Sequence, residues 1–364
     1  MRLMKKNVLF VGAFNNNNKD GSTGGQLFAC LSLINSDLKN EFNFIKIDST
    51  STTVPVPNLI VRAFKALLRL IKFLAAILFK EINSVLIFSA DSFSFIEKGL
   101  MVFIARCFSK KVIFAPRSGM SINDYKGSKF MRFYMKTVIK FSSVVICQGR
   151  YWLNFYAKMD SKNSSKFIII HNWIKISQFK KIKHKISDSK FKILYIGWLE
   201  EYKGILDLIE ALSILKKKDK NFKCEIYGGG SIEDKIKFKI SKYKINDSVF
   251  LKGWADKKDK IEAFKQSNIF ILPSHFEGFP NSLLEAMSAE MPVIASRVGA
   301  VADIINHNIN GLIYTPKDIS QLAKNIEILM ENKSLRSKLA LNARNTVMEN
   351  FTINQAVKKI KKVL

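Results

Sequence analysis

The strongest constraint in this sequence is the repeated alternation of short apolar runs with longer segments of helical period. Runs such as Asn7–Gly12, Ser84–Phe88 and Asn268–Leu272 are mostly apolar along their length and do not alternate with polar residues. Continuous apolar runs are typical of strands buried on both faces of a parallel sheet. The segments between them are long enough for crossover helices. We therefore expect an α/β chain built on parallel sheets.

The alternation occurs twice, once on each side of a polar, lysine-rich stretch. A chain of 364 residues exceeds the size at which a single core stops growing, so two domains are expected. The pattern predicts an N-terminal Rossmann-like domain over 1–176, a basic linker over 177–190 and a second Rossmann-like domain over 191–346. Sheets of this kind bind ligands at the carboxyl ends of their strands. In a tandem pair, the expected site is the central cleft that the two domains face.

The charge is strongly positive, with 59 Lys and Arg against 30 Asp and Glu, for a formal net charge of +29. Such an excess indicates a polyanionic partner, such as nucleic acid, nucleotide phosphates or an anionic membrane, and a compositional bias towards Lys also contributes. A nucleic-acid-binding protein would need a base-recognition motif or a basic surface that also carries aromatic side chains. The sequence has neither, so we expect no nucleic-acid partner.

The four cysteines indicate the compartment. Cys30, Cys107, Cys147 and Cys224 are far apart and form no CxxC motif. In a chain of this length they are expected to be reduced core thiols, which favours a cytoplasmic location. No stretch of 18 apolar residues predicts a transmembrane helix.

The segment Leu59–Phe79 has a distinct pattern of charge. Its basic residues Arg62, Lys65, Arg69 and Lys72 recur at spacings of three and four, which places them on one stripe of a helix. Charges this regular exclude a spanning helix but suit a helix lying on an anionic lipid surface. The alternative is a helix packed on a sheet with a solvated Lys/Arg face. Both interpretations are compatible with the sequence, and the helix could also serve both purposes.

The stretch from Ile271 to Ser296 carries the most chemistry. A buried strand is followed by a polar loop and then a helix, with Glu277 in the loop and Glu285 in the first helical turn. Both carboxylates can therefore face one cleft. The free N–H groups at the helix start suit a phosphate, and a carboxylate suits vicinal sugar hydroxyls. The structural alternative is that Ser282-x-x-Glu285 is a capping box that only begins the helix.

This stretch resembles the signature of family 4 nucleotide-sugar glycosyltransferases of the bacterial surface-polysaccharide type, which have the GT-B fold. The similarity lies in Glu277-x7-Glu285 within FEGFPNSLLEAMSAEMPVIAS. Further similar segments are GWLEEYKG at 197–204, IYGGGS at 226–231, FLKGW at 250–254 and HNWI at 171–174. The second domain is similar nearly end to end, and the first only in outline. The segment 347–364 resembles the family's final helix, which crosses back onto the first domain.

The resemblance implies roles for individual positions. Glu285 would hold the ribose hydroxyls, Glu277 would sit over the donor sugar and Lys203 would pair with the diphosphate. The base would be contacted by Gly253 and Trp254. The sugar and diphosphate would be surrounded by Gly278, Phe279, Asn281, Ser282 and Leu283. From the first domain, the phosphates would be approached by Gly24 and Gly25. The products would be α-configured with retention. Neither a metal ion nor a cofactor would be needed, since the nucleotide diphosphate sugar is itself the donor substrate.

Two positions depart from the family pattern. Trp198 replaces an Arg that follows the first glycine, so one diphosphate cation is missing. Arg117, at the end of a predicted buried strand, stands where the family often has a His. Arg cannot accept a proton at neutral pH, so Arg117 is expected to stabilise the leaving phosphate or to orient the acceptor.

The resemblance therefore implies a hexosyltransferase that builds O-antigen, lipopolysaccharide, capsule or a related polysaccharide. Its predicted partners are a nucleotide-sugar, a lipid-linked saccharide acceptor and an anionic membrane surface, at the inner face of the cytoplasmic membrane. The alternative is a nucleotide-sugar epimerase on a similar fold. That chemistry would call for a His and Asp/Glu acid–base set, which the sequence does not offer in a suitable setting.

Overall fold

The computed structural model describes residues 5–15, 24–50, 58–176, 179, 182 and 190–364. The chain divides into two compact units, one formed by Met1–Trp173 with Ile353–Leu364 and the other by Ile174–Thr352. The divisions predicted from the sequence lie at 176 and 347. The predicted basic linker 177–190 lies outside the described residues except for 179, 182 and 190.

The first unit is built on a parallel sheet in the order β2-β1-β3-β4-β5-β6. Its strands are β1 Lys6–Gly12, β2 Phe42–Asp48, β3 Ser84–Ser89, β4 Lys111–Pro116, β5 Val144–Cys147 and β6 Phe167–Ile169. Its helices are α1 Gly25–Ile34, α2 Leu59–Phe79, α3 Ser92–Cys107, α4 Ser121–Gly127, α5 Lys129–Phe141 and α6 Arg150–Ala157. Short 3₁₀ turns cover Asp37–Asn40 and Ser161–Lys166. The central strands are buried on both faces, as their continuous apolar runs predict.

The second unit repeats this plan with a parallel sheet in the order β12-β11-β10-β7-β8-β9. Its strands are β7 Phe191–Ile196, β8 Phe222–Tyr227, β9 Val249–Gly253, β10 Ile269–Leu272, β11 Val293–Ser296 and β12 Leu312–Tyr314. Its helices are α7 Ile205–Lys217, α8 Glu233–Lys242, α9 Lys257–Gln266, α10 Asn281–Ser288, α11 Val301–Ile304, α12 Ile319–Glu331 and α13 Lys333–Asn350. A 3₁₀ turn at Glu201–Lys203 precedes α7. The predicted α/β architecture, with two domains each built on a parallel sheet, is confirmed.

The last helix, α14 (Ile353–Lys361), returns to the first unit. Ala356, Ile360 and Leu364 join the core that contains Trp173. The Trp173 indole N–H in turn donates to Ser32 Oγ at 2.7 Å. The end of the chain is therefore part of the first unit's core.

The orientation of helix α2 in the structure differs from both orientations predicted from its sequence. Arg69 Nε lies 2.5 Å from Glu97 Oε1 of α3, and Arg62 lies over the Phe93 ring at 4.8 Å from its centroid. Half of the basic stripe thus faces the protein, whereas Lys65 and Lys72 are exposed. The prediction that all four cations line one outward face is wrong, because a buried carboxylate on α3 draws Arg69 inwards.

Two further predictions concern membranes and thiols. Among the helices of the described ranges, none combines the length and apolarity needed to cross a bilayer. Cys30, Cys147 and Cys224 are buried free thiols, as expected. Cys107 is exposed, so its assignment as a core thiol is wrong. It is the last residue of α3, where the chain leaves the core.

Candidate functional site in the strand-end loops

The sequence-predicted donor residues gather at the carboxyl ends of the second sheet. Strands β7, β8, β9 and β10 are parallel, so the loops that follow them emerge at one edge. Lys203 comes from the loop after β7, Trp254 from the loop after β9 and Glu277 from the loop after β10. These residues are up to 74 positions apart in sequence, and the sheet topology alone brings them together.

Glu277 and Lys203 form a direct ion pair. Lys203 Nζ lies 2.8 Å from Glu277 Oε1, and Ser274 Oγ donates to the same oxygen at 2.7 Å. The Lys203 and Glu277 side chains are 18% and 8% exposed. Burial alone would lower the pKa of the Lys203 ammonium, but the charge and hydrogen bond of Glu277 outweigh burial and leave that pKa raised. At neutral pH the site therefore holds a fixed cation beside a carboxylate.

The two loops that carry this pair are fastened to each other. His275 N donates to Tyr202 O at 2.7 Å, and His275 Nε2 lies 2.7 Å from Asp207 Oδ2. Gly204 has φ of +65°, and a Cβ there would lie 1.9 Å from Pro273 O. Only glycine tolerates both the left-handed backbone and this close approach. His275 and Asp207 thus hold the loops in position, a contact that the sequence analysis missed because it spans 68 residues.

Glu285 lies one turn into α10 and pairs with Lys260 of α9, with Lys260 Nζ 3.2 Å from Glu285 Oε2. The residue before the helix is Pro280, whose side chain has no oxygen for capping. Ser282 is the second helical residue and does not occupy the cap position. The capping-box alternative is therefore wrong, and the backbone N–H groups of the first turn, from Asn281 to Leu283, begin the helix without a capping side chain from Pro280.

An aromatic pair forms the next part of this edge. The rings of Trp198 and Trp254 meet edge to face, with centroids 4.6 Å apart at 78°. A Cβ at Gly229 would lie 2.7 Å from Trp254 Nε1, so the loop after β8 approaches the indole closely. Both rings remain more than a third exposed, which leaves them a free surface for a planar group.

The acidic residues beside Trp198 have partners within the protein. Glu200 accepts hydrogen bonds from Ser231 N at 3.0 Å and from Ser231 Oγ at 2.6 Å. Glu201 pairs with Lys235 at 2.5 Å. Both carboxylates therefore fasten the loop after β7 to the region after β8.

The first unit places its own predicted residues at the ends of its strands. Gly24 immediately precedes α1 and Gly25 begins it, after β1. Arg117 follows β4, and its guanidinium donates to Asn172 Oδ1, which also accepts from Gln148 Nε2 at 2.8 Å. Neither Asn172 nor Gln148 was predicted from the sequence to be a partner of Arg117.

Arg117 lies among aromatic rings and remains protonated at neutral pH. Its guanidinium lies 4.6 Å from the Phe88 centroid and 5.4 Å from that of Trp173. Burial lowers the pKa of Arg117 to about 10, so the group stays cationic at neutral pH. Burial and two nearby cations, Lys359 and Arg150, lower the pKa of His171 to about 4, so that imidazole is neutral. The first unit thus offers a rigid cation at a strand end.

Within the described ranges, no group of three or more His, Cys, Asp or Glu side chains is arranged to hold a metal ion. The second unit's edge instead carries the Lys203–Glu277 and Lys260–Glu285 pairs and the N-terminus of α10. This set suits a ligand that carries both phosphates and hydroxyls.

Residues 177–346 match the family described as glycosyl transferases group 1. The match covers nearly all of the second unit. The capsular polysaccharide biosynthesis glycosyltransferase CapM of Staphylococcus aureus is 32% identical over 172 residues, which cover 46% of this chain and 44% of that protein. The poly(ribitol-phosphate) alpha-N-acetylglucosaminyltransferase of Staphylococcus aureus strain COL is 29% identical over 236 residues, or 64% of this chain and 45% of that protein. The chain spans just under half the length of these curated relatives.

The similarity to solved structures covers both units of the chain. Anabaena HepE, solved in complex with UDP and glucose, has a TM-score of 0.75 at 15% identity, over 98% of each chain. At this identity the similarity establishes the fold alone. The chain has the two-domain α/β GT-B fold, as the sequence resemblance implied.

Proposed function

We propose that this protein is a retaining glycosyltransferase that moves a sugar from a nucleotide diphosphate to a glycan acceptor in O-antigen, capsule or related surface-polysaccharide synthesis. The observation that carries the proposal is the Lys203–Glu277 ion pair at the sheet edge that also presents Trp254 and the start of α10. A cation, a carboxylate and a helix N-terminus on one edge suit a diphosphate joined to a sugar. The family match of 177–346 and the name of CapM support the same activity.

In this proposal each group of the second unit takes one part of the donor. Glu285 accepts hydrogen bonds from the ribose hydroxyls, and the base stacks on the exposed face of Trp254. The backbone from Gly278 to Leu283 surrounds the sugar and diphosphate, with the N–H groups at the start of α10 directed at phosphate oxygens. Lys203 contacts the diphosphate while Glu277 turns to the sugar hydroxyls. The binding of UDP and glucose by HepE is consistent with a donor of this class.

The proposed reaction forms a bond between an acceptor hydroxyl oxygen and the anomeric carbon of the sugar. The bond from that carbon to the phosphate oxygen breaks, and the departing phosphate takes the hydroxyl proton. The acceptor enters on the face from which the diphosphate leaves, so the α configuration is retained and a nucleoside diphosphate is released. Lys203 and the amides of α10 compensate the developing charge, which is the role a metal ion has in other phosphate chemistry. Arg117 remains a cation and binds the acceptor or the leaving phosphate.

We further propose that the acceptor is lipid-linked and that the enzyme works as a peripheral protein on the cytoplasmic face of the membrane. The exposed apolar residues of α2 support this location. Surface-polysaccharide relatives such as CapM support a glycan acceptor. The alternative of a nucleotide-sugar epimerase gains no support from these relatives, which carry glycosyltransferase names.

The test begins with a panel of nucleotide-sugars, because a bound donor raises the apparent thermal stability of the protein. The donor that stabilises most is then labelled in its sugar and incubated with the protein and a membrane extract. Label that enters the lipid fraction supports the proposal. A new free nucleotide-sugar would indicate the epimerase, and unchanged donors across the whole panel would refute transfer.

A further inference from the structure

The outward face of α2 is apolar along its whole length. We call it the α2 stripe, and its members are Ile60, Phe64, Leu67, Ile71, Leu74 and Leu78. Spacings of four and three place them on one side of the helix. Their exposed fractions run from 37% at Leu74 to 79% at Ile60. A continuous apolar strip of roughly 30 Å, at 1.5 Å per residue, is far more than the scattered apolar residues of an ordinary surface.

The charged side chains of α2 lie outside this stripe. Glu97 is 3% exposed and accepts from Arg69 Nε at 2.5 Å and from Arg69 Nη2 at 2.9 Å. Lys98 donates to the same carboxylate at 3.0 Å. Arg62 packs on Phe93. The two arginines therefore face α3, while Lys65 and Lys72 remain exposed on the flank of the α2 stripe.

The surroundings of α2 continue this combination of apolar and basic groups. Helix α3 packs against both α2 and α5. On α5, Phe130 and Phe133 are 60% and 72% exposed, and Lys129, Lys136 and Lys140 are exposed beside them. Helix α2 itself contains no Asp or Glu. An apolar face bordered by lysines and free of acids matches the interfacial zone of an anionic bilayer, with acyl chains below and anionic headgroups around.

We propose that α2 lies in the plane of an anionic membrane with the α2 stripe inserted among the upper acyl chains and with Lys65 and Lys72 at the headgroups. This inference deepens the proposed function, since it names the surface by which the enzyme would meet a lipid-linked acceptor. It differs from attachment by the basic stripe alone, because insertion of apolar side chains resists salt whereas charge attraction is screened.

The test compares vesicle binding of three variants of the full chain. Phe64→Ser and Ile71→Ser remove apolar groups from the α2 stripe, and Phe238→Ser removes an equally exposed Phe, at 68%, from α8 of the second unit. Vesicles of phosphatidylcholine with or without phosphatidylglycerol are sedimented at low salt and at about 0.5 M NaCl, where the Debye length falls to a few ångströms. Because all three side chains are exposed, thermal unfolding of the variants should match the wild type, which keeps the comparison independent of folding.

We expect the wild type to bind vesicles containing phosphatidylglycerol at both salt concentrations. Phe64→Ser and Ile71→Ser should each weaken partitioning by about tenfold, and Phe238→Ser should not change it. Wild-type binding by the two stripe variants, or complete loss of wild-type binding at high salt, would overturn insertion. A dimer in solution that both stripe variants dissociate would also overturn it, because a second copy would then cover the α2 stripe. Vesicle binding needs no sugar donor, so its failure is distinct from a failure of sugar transfer.

Discussion

The Lys203–Glu277 pair has a measurable energetic consequence that separates it from the other carboxylate of the motif. In Glu277→Gln the side chain keeps its shape, but the Lys203 ammonium loses its counter-charge while only 18% exposed. Removing one partner of a buried pair costs about 3–5 kcal/mol. Residual exposure of Lys203 allows partial hydration, so we expect a loss of about 2–3 kcal/mol in the free energy of unfolding.

Glu285→Gln is the matched control. Its pair with Lys260 is longer, at 3.2 Å, and the two side chains are 28% and 23% exposed. An ion pair of this exposure contributes at most about 1 kcal/mol. Urea unfolding at pH 7, followed by the fluorescence of Trp198 and Trp254 in the second unit, measures both variants. Equal losses in the two variants, or a loss under about 1 kcal/mol in Glu277→Gln, would refute the assignment of a buried pair.

The pH dependence gives this prediction a second readout. The folded-state pKa of Lys203 is raised above its ordinary value of 10.5, so the stabilisation is fully present below pH 10.5 and is lost only as pH rises through the folded value. In Glu277→Gln, burial without the counter-charge lowers the pKa of Lys203, so the folded variant escapes its penalty by losing that proton below pH 10.5. The stability gap between the wild type and Glu277→Gln should therefore be largest near pH 7 and should narrow as pH rises towards 10.5. A gap that stays constant or widens over this range would mean that a different group carries the effect.

Three further predictions test the loops and the first unit. Gly204→Ala should destabilise the second unit by about 1–3 kcal/mol in urea unfolding, because the backbone is left-handed and Pro273 O blocks the Cβ; an unchanged midpoint would contradict this. Arg117→Lys should slow sugar transfer by about tenfold or more, while the thermal stabilisation by bound donor stays intact. The reason is that an ammonium cannot both stack on Phe88 and hydrogen-bond to Asn172 as a planar guanidinium does. Full activity of the variant would refute the role of Arg117 in transfer. Because the pKa of His171 is lowered to about 4, the free energy of unfolding of the wild type should fall as pH drops from about 6.5 towards 4. Over that window His171→Gln should lose up to about 3 kcal/mol less than the wild type. Parallel pH profiles of the two proteins would count against this role.

Much of the fold follows from the sequence for a simple physical reason. Strands buried on both faces must be apolar throughout, so the runs Asn7–Gly12 and Asn268–Leu272 indicate parallel sheets before any contact is known. The pairing of Glu277 with Lys203 was not predicted, although each residue was identified singly. Their contact depends on which strand lies beside which, and the placement of β7 next to β10 cannot be read from either segment alone.

The orientation of α2 shows a second limit. Its sequence has apolar residues on two sides, and a periodic pattern alone does not say which side faces the sheet. The deciding partner is Glu97, which lies 28 residues beyond Arg69 and would ordinarily be expected at the surface. The Trp198–Trp254 contact was missed for a similar reason, because the two residues follow different strands.

The most direct test of the central claim is sugar transfer by purified wild-type protein and by Glu277→Gln. Both are given the same labelled nucleotide-sugar and the same membrane extract at pH 7, below the temperature at which the variant unfolds. We expect the wild type to move label into the acceptor fraction and Glu277→Gln to do so at least about 100-fold more slowly. Equal rates of transfer, or no transfer by the wild type with any donor that stabilises it, would contradict the account.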